Sequence, residues 1–92
     1  MKYEVRYTSQ FKKDYKLAKW RGLDEKKLGT VVEQLAEGFP LPAKYRDHAL
    51  GGIWSCHREC HIEPDWLLIY YTIEETLVLT LVRTGSRSDL FR

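Results

Sequence analysis

Tyr3, Val5 and Tyr7 alternate with the polar residues Glu4, Arg6 and Thr8, the period-2 signature of a half-buried strand. From Ser9 the period changes. Phe11, Tyr15 and Ala18 recur at helical spacing with Lys12, Lys13, Lys16 and Lys19 between them, which predicts a helix capped by Ser9, closed at Gly22 and lysine-rich on one face. A second helix is predicted from the N-cap Asp24 to Gly38, ahead of Pro40 and Pro42, because Leu28, Val31, Val32 and Leu35 build one apolar stripe. Gly29 inside it costs about 1 kcal/mol relative to alanine.

Residues 39–52 contain Pro42 and the Gly51-Gly52 pair and read as a loop that carries His48. Strands are predicted at about 53–56, 58–62, 66–73 and 76–84, with Glu63-Pro64-Asp65 and Glu74-Glu75 as tight connections. The run starting at Trp66 is apolar on both parities and so belongs at the centre of the sheet, under the helices. The element order predicts an α+β fold: an N-terminal strand and two helices packed on one face of a small antiparallel β-sheet. No repeat or linker divides residues 1–92, so one domain is expected.

Length agrees with this, since 92 residues support one small core. The longest apolar run, Trp66 to Tyr71, is far below the ~20 residues that span a bilayer. Residues 1–6 carry charge where a signal peptide needs an apolar stretch, so a cytoplasmic location and no membrane partner are expected. The net charge of +2 conceals an uneven distribution. Residues 1–27 hold nine Lys/Arg against four Asp/Glu, residues 28–82 three against eight, and residues 83–92 three against one. Basic ends around an acidic middle suit a protein that meets a polyanion, although a solvated lysine face would look the same.

The candidate chemistry lies in the second half, where His48, His61, Asp65, Arg83, Arg87 and Phe91 punctuate the predicted sheet. Phosphodiester cleavage needs a group that takes a proton, one that gives it back and positive charge on the phosphate. RNA is therefore the expected substrate. Alternation over residues 58–62 puts Glu59, His61 and Glu63 on one face and Arg58, Cys60 and Ile62 on the other. His61 is thus expected between two carboxylates, which favour its cationic form. Arg83 shares the parity of Leu77, Leu79 and Leu81 and would either close that row or turn into a groove. Cys56, His57, Cys60 and His61 resemble a zinc set, but in an extended segment the cysteines and histidines face opposite ways. No metal and no cofactor are expected, and both cysteines are read as reduced core residues.

Three blocks carry a resemblance to a known family. They are Asp47-His48-Ala49-Leu50-Gly51-Gly52, His61-Ile62-Glu63-Pro64-Asp65-Trp66 and Arg83-Thr84-Gly85, followed by Leu90-Phe91. In their order and spacing the chain strongly resembles YafQ-type toxins of the RelE/ParE superfamily, whose fold is microbial RNase-like. The resemblance implies a toxin of a type II toxin–antitoxin system, a ribosome-dependent endoribonuclease that cuts mRNA in the A site. It also implies a cognate antitoxin of the DinJ-like, ribbon-helix-helix type, assembled with the toxin as a heterotetramer. By the same resemblance the active-site positions are His48, His61, Asp65, Trp66, Arg83 and Phe91. The ribose 2′-hydroxyl would attack in line, leaving a 2′,3′-cyclic phosphate. Either histidine, with Asp65, would assist the proton transfers, Arg83 and Arg87 would neutralise the phosphate, and Phe91 or Trp66 would stack on a base. The lysines Lys12, Lys13, Lys16 and Lys19 would bind ribosomal RNA.

The chain departs from the family at Arg87, where a histidine is typical. Arginine stays protonated and exchanges protons poorly, so a slower enzyme is expected. A ParE-like gyrase inhibitor and a plain basic nucleic-acid-binding module are the rival readings.

Overall fold

The computed structural model describes residues 2–91. Strand β1 (Glu4–Tyr7) leads into helices α1 (Ser9–Trp20) and α2 (Glu25–Glu37). Strands β2 (His48–Ala49), β3 (Arg58–Glu63), β4 (Trp66–Ile73) and β5 (Val78–Gly85) follow, then a single turn of helix, α3 (Arg87–Leu90). The five strands form one sheet in the order β1-β5-β4-β3-β2.

The α+β class holds, but the sheet is mixed. β1 runs parallel to β5, with Glu4 opposite Val78 and Tyr7 opposite Leu81, while the other pairs are antiparallel. A parallel neighbour needs a crossover, and α1 with α2 supplies it. Both helices lie on one face, where Phe11, Ala18, Leu28, Val31 and Leu35 bury against Trp66, Leu68, Tyr70, Leu79 and Leu81. On the other face Leu67 and Ile69 are covered by Leu90, with Leu50, Trp54, Val82 and Phe91 around them. The central position of β4 therefore accounts for its apolar residues on both parities.

Other boundaries differ from the sequence pattern for identifiable reasons. The cap of α1 is Thr8 rather than Ser9, because the Thr8 hydroxyl accepts the Phe11 amide at 2.9 Å. Asp24 caps α2 by accepting the Lys26 amide, and Gly38 ends it at φ 81°. The strand expected at 53–56 is absent. A 3-10 turn over Gly52–Trp54 replaces it, Cys56 takes a positive φ of 69°, and Ile53 is 95% exposed. The Gly51-Gly52 turn thus extends forward through Cys56. His48, read as loop, is held in the two-residue β2 opposite Glu59.

Candidate active site

Glu59 organises the site. Its backbone lies opposite Ile69 of β4, so its side chain rises from the face opposite the helices, beside Leu67 and Ile69. The carboxylate is 1% exposed, and three groups converge on its Oε1: Arg87 Nη2 at 2.9 Å, His61 Nε2 at 3.4 Å and His48 Nε2 at 3.6 Å. Its Oε2 is buried without a partner among the described residues. A buried carboxylate without a counter-charge costs several kcal/mol, and the Arg87 guanidinium at 2.9 Å is the permanent counter-charge that keeps Glu59 in place.

Each imidazole is oriented from behind. His48 Nδ1 donates to the Arg46 carbonyl oxygen at 2.7 Å, and His61 Nδ1 donates to that of Pro64 at 3.3 Å. Carbonyl oxygens only accept, so each Nδ1 keeps its hydrogen, and Nε2 is the nitrogen at which each ring exchanges a proton. The ring centroids are 6.4 Å apart. The loop bearing His48 is anchored by Asp47, whose Oδ1 accepts from the Tyr70 hydroxyl at 2.6 Å and from Arg58 Nε at 3.3 Å. Burial and this bond push the Tyr70 hydroxyl above its ordinary value.

The tail delivers Arg87 through capping. Ser86 and Asp89 form a capping box, with Ser86 Oγ accepting the Asp89 amide and Asp89 accepting the Ser86 amide. Asp89 also accepts from Arg21, the C-cap residue of α1, at 2.7 Å, and Arg21 with the Ser86 amide holds its carboxyl well below the usual range. Asp65, in the β3–β4 turn, accepts the Arg87 amide at 3.1 Å. The Arg87 guanidinium carbon lies 5.2 Å from the Phe91 ring centre, and Phe91 meets Trp54 edge-on at 6.3 Å.

The structure brings His48, His61, Asp65, Arg87 and Phe91 together, but not the others. Arg83 is at the β5 margin that α1 covers, where Asp14 accepts from its Nε at 2.9 Å and Nη2 at 3.1 Å. A bulge in β5, opposite Ile69 and Tyr70, breaks the parity that put Arg83 in line with Leu81. Trp66 is 2% exposed, and its Nε1 donates to Thr84 Oγ1 at 2.9 Å; it belongs to the core, and the indole beside Phe91 is Trp54. Lys12, Lys13, Lys16 and Lys19 ride on α1, across the sheet from Glu59. His61 is not flanked by two carboxylates, because a bulge between His61 and Glu63 turns Glu63 toward Lys27 of α2 at 2.7 Å. Cys60 is core, its thiol pushed up to about 12 by burial, whereas Cys56 is exposed. Among the described residues no three His, Cys, Asp or Glu side chains gather as a metal site, and no helix is long and apolar enough to cross a membrane.

Sequence reasoning noted Glu59 only as a neighbour of His61 and missed it as the centre. A carboxylate two residues from a histidine on one face of a strand was the available signal.

Nearly the whole chain matches a known family. The family model for the bacterial toxin of type II toxin–antitoxin system, YafQ, matches residues 3–92. The mRNA interferase toxin YafQ of Escherichia coli K12 is 42% identical over 89 residues, covering 96% of this chain and 95% of that protein. The crystal structure of YafQ from E. coli BL21(DE3) matches with a TM-score of 0.92 at 41% identity, over 98% of this chain and 99% of that one. YafQ in the E. coli DinJ–YafQ complex matches with a TM-score of 0.90 at 41% identity, over 98% and 99%. The chain belongs to the YafQ family of toxins of bacterial type II toxin–antitoxin systems.

Proposed function

We propose that the chain is an mRNA interferase, an endoribonuclease acting on ribosome-bound mRNA, held inactive by a DinJ-like antitoxin. The observation that carries this reading is the convergence of two imidazole Nε2 atoms and a guanidinium on one buried carboxylate oxygen, on the sheet face that the helices leave open. A non-catalytic gyrase inhibitor or basic binder needs no such acid–base set.

The reaction follows from these groups without a metal ion. One Nε2 takes the proton of the ribose 2′-hydroxyl as its oxygen attacks phosphorus in line; the bond to the 5′-oxygen breaks, and that oxygen receives a proton from the other ring. The products are a 2′,3′-cyclic phosphate and a 5′-hydroxyl. Glu59 sets its carboxylate beside both rings through one oxygen and stabilises the ring whose Nε2 carries the proton. Arg87, 56% exposed, holds Glu59 through Nη2 and offers its remaining N–H groups to the phosphate. Asp65 accepts the Arg87 amide and so positions the tail. Phe91, stacked under Arg87 and beside Trp54, offers a ring for a base. Because a guanidinium does not exchange protons near neutral pH, the reaction is slower than with a third imidazole at residue 87.

His61→Ala tests the assignment directly. Single-turnover cleavage of mRNA on programmed ribosomes is expected to fall about 10²-fold or more, the range for losing a proton-transfer group. A folded His61→Ala protein that cleaves at the parental rate would overturn it.

A further inference from the structure

A cavity of about 490 Å³ opens beside the active site, at the margin of β3 beyond the point where β2 stops pairing. Its walls come from α2, the 3-10 turn Ala43–Tyr45 and the β3–β4 connection, and include Thr30, Lys44, Arg46 and His61. Two of its residues are shared with the acid–base cluster. His61 meets Glu59 through Nε2, and Arg46 gives its carbonyl oxygen to His48. Arg46 adopts the left-handed conformation, φ 50° and ψ 41°, which an arginine seldom takes. Its backbone is thereby committed to His48.

The charges at this cavity are unevenly used. Lys27 is neutralised by Glu63 at 2.7 Å. The Arg46 guanidinium has no carboxylate partner among the described residues, and Lys44 has only the ring of Tyr45, 5.1 Å from its Nζ. Both side chains are exposed. Unpaired cations beside a cavity that shares His61 with the acid–base cluster are placed for another phosphate of the same strand.

Building on the nuclease reading, we propose that this cavity is a second phosphate subsite, in which Arg46 and Lys44 hold the mRNA phosphate flanking the scissile one. The subsite fixes the register of the strand: with one phosphate on Arg46 and Lys44, the next lies over His48, His61 and Arg87. Arg46 thereby couples substrate grip to the orientation of His48 through a single residue.

The test combines protein and RNA changes in single-turnover cleavage on ribosomes programmed with mRNA, with toxin in excess. One mRNA series carries a neutral methylphosphonate at each phosphate flanking the scissile one. For the parent, one flanking methylphosphonate is expected to raise the toxin concentration at half-maximal rate by about 10-fold, the worth of one charge-assisted hydrogen bond. The Lys44→Gln/Arg46→Gln protein should show at least that rise on unmodified mRNA, and little more when the methylphosphonate is added. Its salt slope should fall by about 0.7 for each phosphate that the variant no longer neutralises. A variant defect that adds in full to every methylphosphonate would assign the cations to ribosomal RNA and overturn the proposal, as would a variant that behaves like the parent. A parent that fails to cleave unmodified mRNA would overturn the nuclease reading and the subsite with it.

Discussion

At the scale of single residues, Arg87 and Glu59 are the pair on which the proposed chemistry turns. An arginine reaching Glu59 Oε1 at 2.9 Å provides a permanent cation where the family typically has a titrating ring. Arg87→His is expected to speed single-turnover cleavage by about 10-fold or more, since acid–base groups contribute 10²–10⁴-fold and Arg87 already supplies part of the electrostatic help. The pH–rate profile should gain a limb. A slower Arg87→His enzyme would show instead that the guanidinium is a working catalytic cation. The histidines were legible because few residue types do this chemistry. Glu59 was not, because a buried carboxylate and a solvated one are written alike, and strand parity reports a face without reporting what covers it. Trp66 and Arg83 failed in the complementary way: resemblance placed them in the site, whereas the core and Asp14 hold them in this chain.

Among the elements, the tail is the one most dependent on a distant partner. α3 is a single turn, too short to persist alone, and Arg21 at the C-terminal cap of α1 ties it down through Asp89. Asp89 is held below the ordinary carboxylate range, so its contribution to docking is complete above about pH 4 and is lost only as pH falls through the depressed value. In Arg21→Gln that loss should begin at higher pH, closer to the ordinary value, as followed by the NMR shifts of the Leu90 methyls during acid titration. Identical titrations in parent and variant would show that Arg21 does not hold the tail. The long helices were readable from their apolar stripes and the caps Asp24 and Gly38. β2 and α3 were not, since neither is long enough to establish a period. The Ser86-x-x-Asp89 capping box was nevertheless present in the sequence.

For the whole molecule, the sheet separates two charged surfaces. Its open face carries Glu59 and its partners, and α1 on the other side exposes Lys12, Lys13, Lys16 and Lys19. Neutralising all four lysines is expected to weaken ribosome association and flatten its salt dependence, while the single-turnover rate at saturating toxin stays at the parental level. A fall in that saturated rate would mean that α1 contributes to the chemistry. The parallel pairing of β1 with β5 has a further consequence. The first strand of the sheet finds its neighbour only after residues 78–81 exist, and Glu59 meets Arg87 later still. Such pairing distant in sequence forms late. A nascent chain ending before residue 87 therefore has neither its full set of partners at Glu59 nor an anchored tail, so the cluster around Glu59 is completed only after residue 87 has been made.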